Sequence, residues 1–325
     1  MLIQDQIGWD DLDSDWLSFF KAISVDTIHL ECRRAVAQSG LDIGETKKLE
    51  NMFSEAREKV EKAGMKLNNV FFSAPKEIPL GDPSADEKTE QWCGLLEALG
   101  NAGIPALGWN FKPMGNFRTE SATGRGGVKY STFDYDTHMR ERTNVYAPEI
   151  SEADMWGRME TFLKAVIPAA EKAGVKMALH PDDPPIPEPL GGVWQICSSK
   201  DQFRRVFDSV PSDSNRMLFC QGCMTELLGQ EVYGFIEEMA SKNKIQWVHF
   251  RNVKGQLPYF EEVFPDNGDI DMKRAMEIYR DNGFNGPFMM DHTPKFAGEN
   301  GPLSQKLGKA YCIGYIRRLI QDVYG

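Results

Sequence analysis

Short apolar runs rich in β-branched and aromatic residues alternate along this chain with longer stretches whose apolar positions recur at helical spacing. The strand-like runs are 2–7, 27–30, 69–72, 106–111, 176–180, 217–220, 245–250 and 287–291. Helical spacing fills the intervals, over 16–22, 45–63, 90–102, 152–173, 203–208, 231–241, 272–281 and 305–322. Four helices end on a turn signal directly before a strand: Lys-Ala-Gly-Met at 62–65, Asn-Ala-Gly-Ile at 101–104, Lys-Ala-Gly-Val at 172–175 and Asp-Asn-Gly-Phe at 281–284. A glycine just past the last helical residue takes the left-handed conformation that ends a helix and turns the chain into the next strand.

Eight strand–helix pairs in strict alternation predict a closed parallel (β/α)8 barrel, an α/β fold of the TIM-barrel type. An open doubly wound sheet would place a G-x-G-x-x-G turn after its first strand, and none stands there. No repeat, low-complexity tract or linker divides the chain, so residues 1–325 are expected to form one barrel domain. The longest non-helical stretch, about 112–149, follows the fourth strand and predicts a long loop insertion serving as a functional lid.

Composition narrows the function. A net charge of −11, with no basic run, opposes binding to nucleic acid or anionic lipid, so an anionic substrate must be met by local cations or a metal. The first residues are acidic where a secretion signal would be basic and then apolar, and no apolar run is long enough to span a bilayer. Six scattered cysteines do not form a disulfide framework, and a reduced, cytoplasmic protein is expected. The lone C-x-x-C of Cys220 and Cys223 is a weak redox or zinc signal by itself.

The chemistry concentrates at strand ends. Of five histidines, His180, His249 and His292 lie at or just past the ends of strands five, seven and eight; Cys220 ends strand six and Asp291 strand eight. Parallel barrel strands open their C-terminal ends on one mouth, where the catalytic groups of this fold sit. A single histidine there is usually an ordinary polar residue, and a cysteine in an apolar strand is usually core. Four such residues on four successive strands instead predict a centre for one divalent ion: His180, Cys220, His249 and Asp291. The thiolate argues against magnesium and calcium and leaves manganese, iron, cobalt or zinc open.

At these positions the sequence resembles the D-mannonate dehydratases. The matching stretches are HPDDPP at 180–185, SVPSDSNRMLFCQG at 209–222, VHFRNVK at 248–254, GDIDM at 268–272 and MMDH at 289–292. WNFKPMGNFRTE at 109–120 and VFFSAPKEIPLGDPS at 70–84 extend the match upstream. The resemblance implies a xylose-isomerase-like barrel and manganese or a similar divalent ion held by the same four residues. It also implies dehydration of D-mannonate to 2-keto-3-deoxy-D-gluconate. Leu303 stands where that family carries a tyrosine.

Dehydrating a sugar acid requires removal of a weakly acidic proton beside the carboxylate and protonation of a departing hydroxyl. His292 is the expected acid/base residue, with Asp291 an alternative. Arg118 or Arg251 is expected to hold the carboxylate, with Lys254 the next cation. Asn110 and Asn252 are expected to bind hydroxyls, Asp182 and Asp183 to touch substrate, and His138 to close over the site; His29 reads as structural. The expected partner is a small sugar acid, with a homo-oligomer left open. The alternatives are a metal-dependent sugar isomerase or epimerase on the same barrel, and a non-catalytic sugar-acid-binding relative.

Overall fold

In the computed structural model, which describes residues 1–325 apart from 39, 142–144, 293 and 295–301, all eight strand-like runs form strands. They are β1 (Ile3–Gly8), β2 (Thr27–Glu31), β3 (Lys66–Ser73), β4 (Ala106–Asn110), β5 (Lys176–Leu179), β6 (Asn215–Cys220), β7 (Ile245–His249) and β8 (Phe288–Met289). Each pairs in parallel with its neighbours in sequence, and β8 closes on β1 through Ile3 opposite Phe288. The four turn glycines behave as the sequence predicts. Gly64, Gly103, Gly174 and Gly283 all have φ between 69 and 80°. The helix Glu152–Ala173 shows both ends of the rule, with Ser151 accepting from the Asp154 N–H at its start and Gly174 at its close.

Beneath the mouth the barrel is filled by Phe71, Ala106, Ala178, Leu218 and Trp247. Gly108 on β4 makes room for this layer. A Cβ there would sit 2.6 Å from Phe71 Cδ2 and 2.9 Å from Trp247 Cζ2. Gly108→Ala is therefore expected to cost about 1–3 kcal/mol through overpacking; an unchanged denaturant midpoint would show that these rings move aside freely.

The stretch 112–149 is not the extended loop expected. It contains strands Thr119–Thr123 and Lys129–Asp134 and the helix Tyr135–Glu141. These strands join Asn252–Gln256 and Tyr259–Val263, also missed in the sequence, in a four-stranded antiparallel sheet. The sheet has its own small core of Phe117, Phe133, Ile186, Leu190 and Phe260. His138 belongs to that core, its ring 4.8 Å from Phe117 and 5.6 Å from Phe133, so it does not reach over the barrel mouth. Among the described residues, no helix is long and apolar enough to cross a membrane.

Candidate metal centre

Three donors meet at the mouth. One ligand atom each from His180, Cys220 and His249 lies within 4.8 Å of the other two. The barrel register makes this possible: Cys220 pairs with His249 across β6 and β7, and the His180 N–H extends the β5 pairing to Trp109 O at 2.7 Å. Nδ1 of His180 lies 2.7 Å from Pro181 O, an acceptor, which puts the proton on Nδ1 and leaves Nε2 with a bare lone pair. His249 Nε2 is buried and makes no well-directed hydrogen bond among the described residues. Two imidazole nitrogens with lone pairs to offer, beside a thiolate, are what a divalent transition metal binds, so these residues fit such an ion.

Asp291 stands beside this trio, with Oδ2 3.3 Å from His249 Nδ1. Its φ of 66° lies in the left-handed region, which costs an aspartate about 1 kcal/mol and holds the carboxylate toward the histidine. Burial would raise the Asp291 pKa, but His249, His292 and Arg251 outweigh it and hold the carboxyl well below its usual range. Burial would lower His249, yet Asp291 and Cys220 push it up to about 9. Burial alone would likewise raise the Cys220 thiol; the Cys223 thiol, Arg251 and the two histidines pull it well below its ordinary value. The centre thus favours a thiolate even before a cation arrives.

Arg251 forms the floor of the charge network. Its Nη2 donates to Cys220 Sγ at 3.3 Å and Cys223 Sγ at 3.5 Å, Nη1 donates to Glu262 Oε1 at 2.7 Å, and Nε is 3.2 Å from Asp291 Oδ2. Gly222 lets the helix Gln221–Leu228 begin directly beneath it, because a Cβ there would lie 2.9 Å from Arg251 Cζ. Arg118 Nη2 donates to the same Glu262 oxygen at 2.6 Å and forms an ion pair with Asp183 Oδ1 at 2.7 Å. Both arginines expected to hold the substrate carboxylate are therefore committed to buried acids, although both also border a cavity of about 440 Å³ under the antiparallel sheet.

A second cavity of about 160 Å³ opens directly on the centre. His180, His249, Asp291 and His292 form one side of it, and Asn110 and Asp183 also line it. Asp182 instead caps backbone, accepting from the Cys197 N–H at 2.7 Å and Ser198 Oγ at 3.0 Å. Asn252 holds the Pro265 and Ile270 carbonyls, each at 2.9 Å, and Lys254 is exposed on a strand away from both cavities. Sequence reasoning missed Gln6, Glu31, Lys112 and Asn116, which line the cavity, as does His29, expected to be structural. His29 and Glu31 at the end of β2 carried the same strand-end signal that found the other histidines.

The profile of the D-mannonate dehydratase (UxuA) family matches residues 134–324, well over half the chain and inclusive of all four expected ligands. The chain belongs to the D-mannonate dehydratase family. It is 29% identical over 307 residues to the mannonate dehydratase of Streptococcus pneumoniae strain 70585, covering 84% of this chain and 83% of that protein. The crystal structure of mannonate dehydratase from Streptococcus suis serotype 2 superposes with a TM-score of 0.83 at 26% identity, over 99% of this chain and 95% of that one. A xylose isomerase domain protein from Planctomyces limnophilus shares the fold at a TM-score of 0.64 and 13% identity, over 99% and 97% of the two chains. Within this D-mannonate dehydratase relative, Leu303 is 58% exposed on the last helix, and the stretch 295–301 before it lies outside the described residues. His29, Glu31 and Lys112 all precede residue 134, outside the stretch matched by the family profile.

Proposed function

We propose that this chain is a metal-dependent hydro-lyase that dehydrates a sugar acid, D-mannonate to 2-keto-3-deoxy-D-gluconate. The metal would be held by His180, Cys220 and His249 with Asp291 as fourth ligand or as the partner that orients His249. The observation that carries the reading is the convergence of those donors beside a small polar cavity, in a chain whose family profile spans them. Manganese(II) is the proposed ion, and the donor set also accommodates iron, cobalt or zinc. When bound, the cation supplies Lewis-acid polarisation of the carboxylate and a neighbouring hydroxyl.

The protein's own groups divide the remaining work. His292 borders both cavities, its Nε2 3.5 Å from Asp291 Oδ2 and its Nδ1 3.7 Å from Glu262 Oε2. Two flanking carboxylates aim its ring, and at 46% side-chain exposure it can take the C2 proton and pass it on. Lys112, just past β4, lines the cavity and has no ion-pair partner among the described residues, so it replaces the arginines as the anchor for the substrate carboxylate.

The test is a panel of hexonates and pentonates with protein reconstituted with manganese, read as 2-keto-3-deoxy acid. D-mannonate is expected to give keto acid. A metal-loaded protein that turns over no acid in the panel but interconverts neutral sugars would replace this reading with the isomerase one. In the active enzyme, Lys112→Met should raise KM for D-mannonate by about 10–100-fold, the worth of one charge-assisted contact, with metal content unchanged. A KM that does not move would remove Lys112 from the carboxylate subsite.

A further inference from the structure

The cavity has a second wall, and it carries its own acid. The strand β2 stands four places round the eight-stranded ring from β6, hence across the mouth from Cys220. His29 and Glu31 lie two residues apart on β2, so both side chains point to the same face, and both line the cavity that His180, His249 and Asp291 border. The Phe71 ring lies between the two walls, its centroid 6.4 Å from that of His29 and 6.3 Å from that of His180.

The hydrogen bonds behind His29 fix where its protons sit. Gln4 Nε2 lies 3.5 Å from the Met289 sulfur, an acceptor, which assigns the amide its polarity and leaves Gln4 Oε1 to accept. Asn69 Nδ2 donates to that oxygen at 3.0 Å, so Asn69 Oδ1 faces His29 Nδ1 and requires a proton on it. The other ring nitrogen, Nε2, lies 3.2 Å from Glu31 Oε1. A bare nitrogen lone pair against a carboxylate oxygen at that distance is repulsive, so the contact holds one proton, on either the imidazole or the carboxyl. His29 is only 2% exposed and Glu31 33%, so that proton leaves or enters by way of Glu31.

We infer that Glu31 is a catalytic acid of the proposed dehydration, protonating the departing C3 hydroxyl, and that His29 is the positioning residue that shares and restores its proton. The inference rests on the dehydratase reading above. Its proton accounting closes. His292 takes the C2 proton, the C2–H electron pair forms the C2–C3 double bond, and the C3–O pair leaves with hydroxide. The hydroxide takes the proton held between Glu31 and His29 and departs as water. The resulting enol receives the proton of His292 at C3, and its hydroxyl proton returns to Glu31 as the C2 carbonyl forms. No oxidant or further reactant is needed. The acid stands on the wall opposite the metal ligands, so the two protonations proceed on separate sides of the substrate without sharing one group.

The experiment compares manganese-loaded wild type with E31Q, E31D and H29Q, using D-mannonate in H2O and D2O. E31Q is expected to lose about 10²–10⁴-fold in kcat, the usual span for a general acid, with KM and metal content within about twofold. It should still exchange the C2 hydrogen of recovered mannonate for deuterium, because His292 is untouched. E31D, which keeps an acid, should turn over faster than E31Q, and H29Q should lower kcat while leaving KM in place. E31Q turnover within about threefold of wild type overturns the inference, as does equal loss in E31D and E31Q or loss of metal with activity. In those cases wild-type turnover still stands; a wild type that makes no keto acid overturns the dehydratase reading and this inference together.

Discussion

Alanine at His180 or His249, or serine at Cys220, should leave a folded protein without stoichiometric metal and lower kcat/KM by at least about 10³-fold. The size follows from what the cation contributes. Stabilising charge that develops on a carboxylate is worth several kcal/mol, and each 1.4 kcal/mol is about tenfold in rate. The fold should survive because the barrel layer beneath the mouth is apolar and independent of these donors. Elemental analysis and circular dichroism on the same samples check both halves. Asp291→Asn separates the two roles open to that residue. As the orienting partner of His249 Nδ1 it should cost about 10–100-fold in metal affinity, whereas as a ligand its loss should resemble that of His180. Near-stoichiometric metal in both histidine variants would move the centre elsewhere in the molecule.

Much of this architecture is legible in the sequence. Barrel strands are buried on both faces, so they read as near-continuous apolar runs, and residues 70–72 in β3, 106–109 in β4 and 217–220 in β6 stand out for that reason. A parallel closed sheet also converts a sequence property, a polar residue ending an apolar run, into a spatial one. His180, Cys220 and His249 could therefore be placed together from strand ends alone. The antiparallel sheet is hard to read because Thr119–Thr123 and Lys129–Asp134, which pair with each other, are short and polar, and the strands that complete it, Tyr259–Val263 and Asn252–Gln256, lie more than a hundred residues downstream. Arg118 and Arg251 read as substrate ligands in the sequence for a related reason. Nothing local shows that Glu262, on one of those distant strands, would claim both. His29 reads as structural in the sequence although it obeys the strand-end rule, since its significance depends on Asn69 and Gln4 fixing its proton from behind.

Glu262 is the position where loss of one charge should hurt stability most. A single oxygen, Oε1, accepts from Arg118 Nη2 at 2.6 Å and from Arg251 Nη1 at 2.7 Å, and the glutamate is 5% exposed. Removing it leaves two guanidinium groups against Asp183, Asp291 and the thiols with their shared counter-ion gone. Breaking a buried ion pair by deleting one partner costs about 3–5 kcal/mol, so Glu262→Gln should lower the melting temperature by roughly 5–15 °C. The effect carries a pH signature. Burial would raise the Glu262 carboxyl, but His292, Arg251 and Arg118 together hold it down to about 2, against an ordinary 4.5. A carboxyl depressed in the folded state binds its proton more readily when the chain unfolds. Its contribution is thus complete above pH 4.5 and is withdrawn as the pH falls toward 2. The shift corresponds to about 3 kcal/mol. The stability gap between wild type and E262Q, measured by denaturant melts, should accordingly be widest at pH 6–7 and narrow steadily below pH 4.5. A gap that stays constant from pH 6 to pH 3 would mean that the two arginines find other partners and that Glu262 does not hold them.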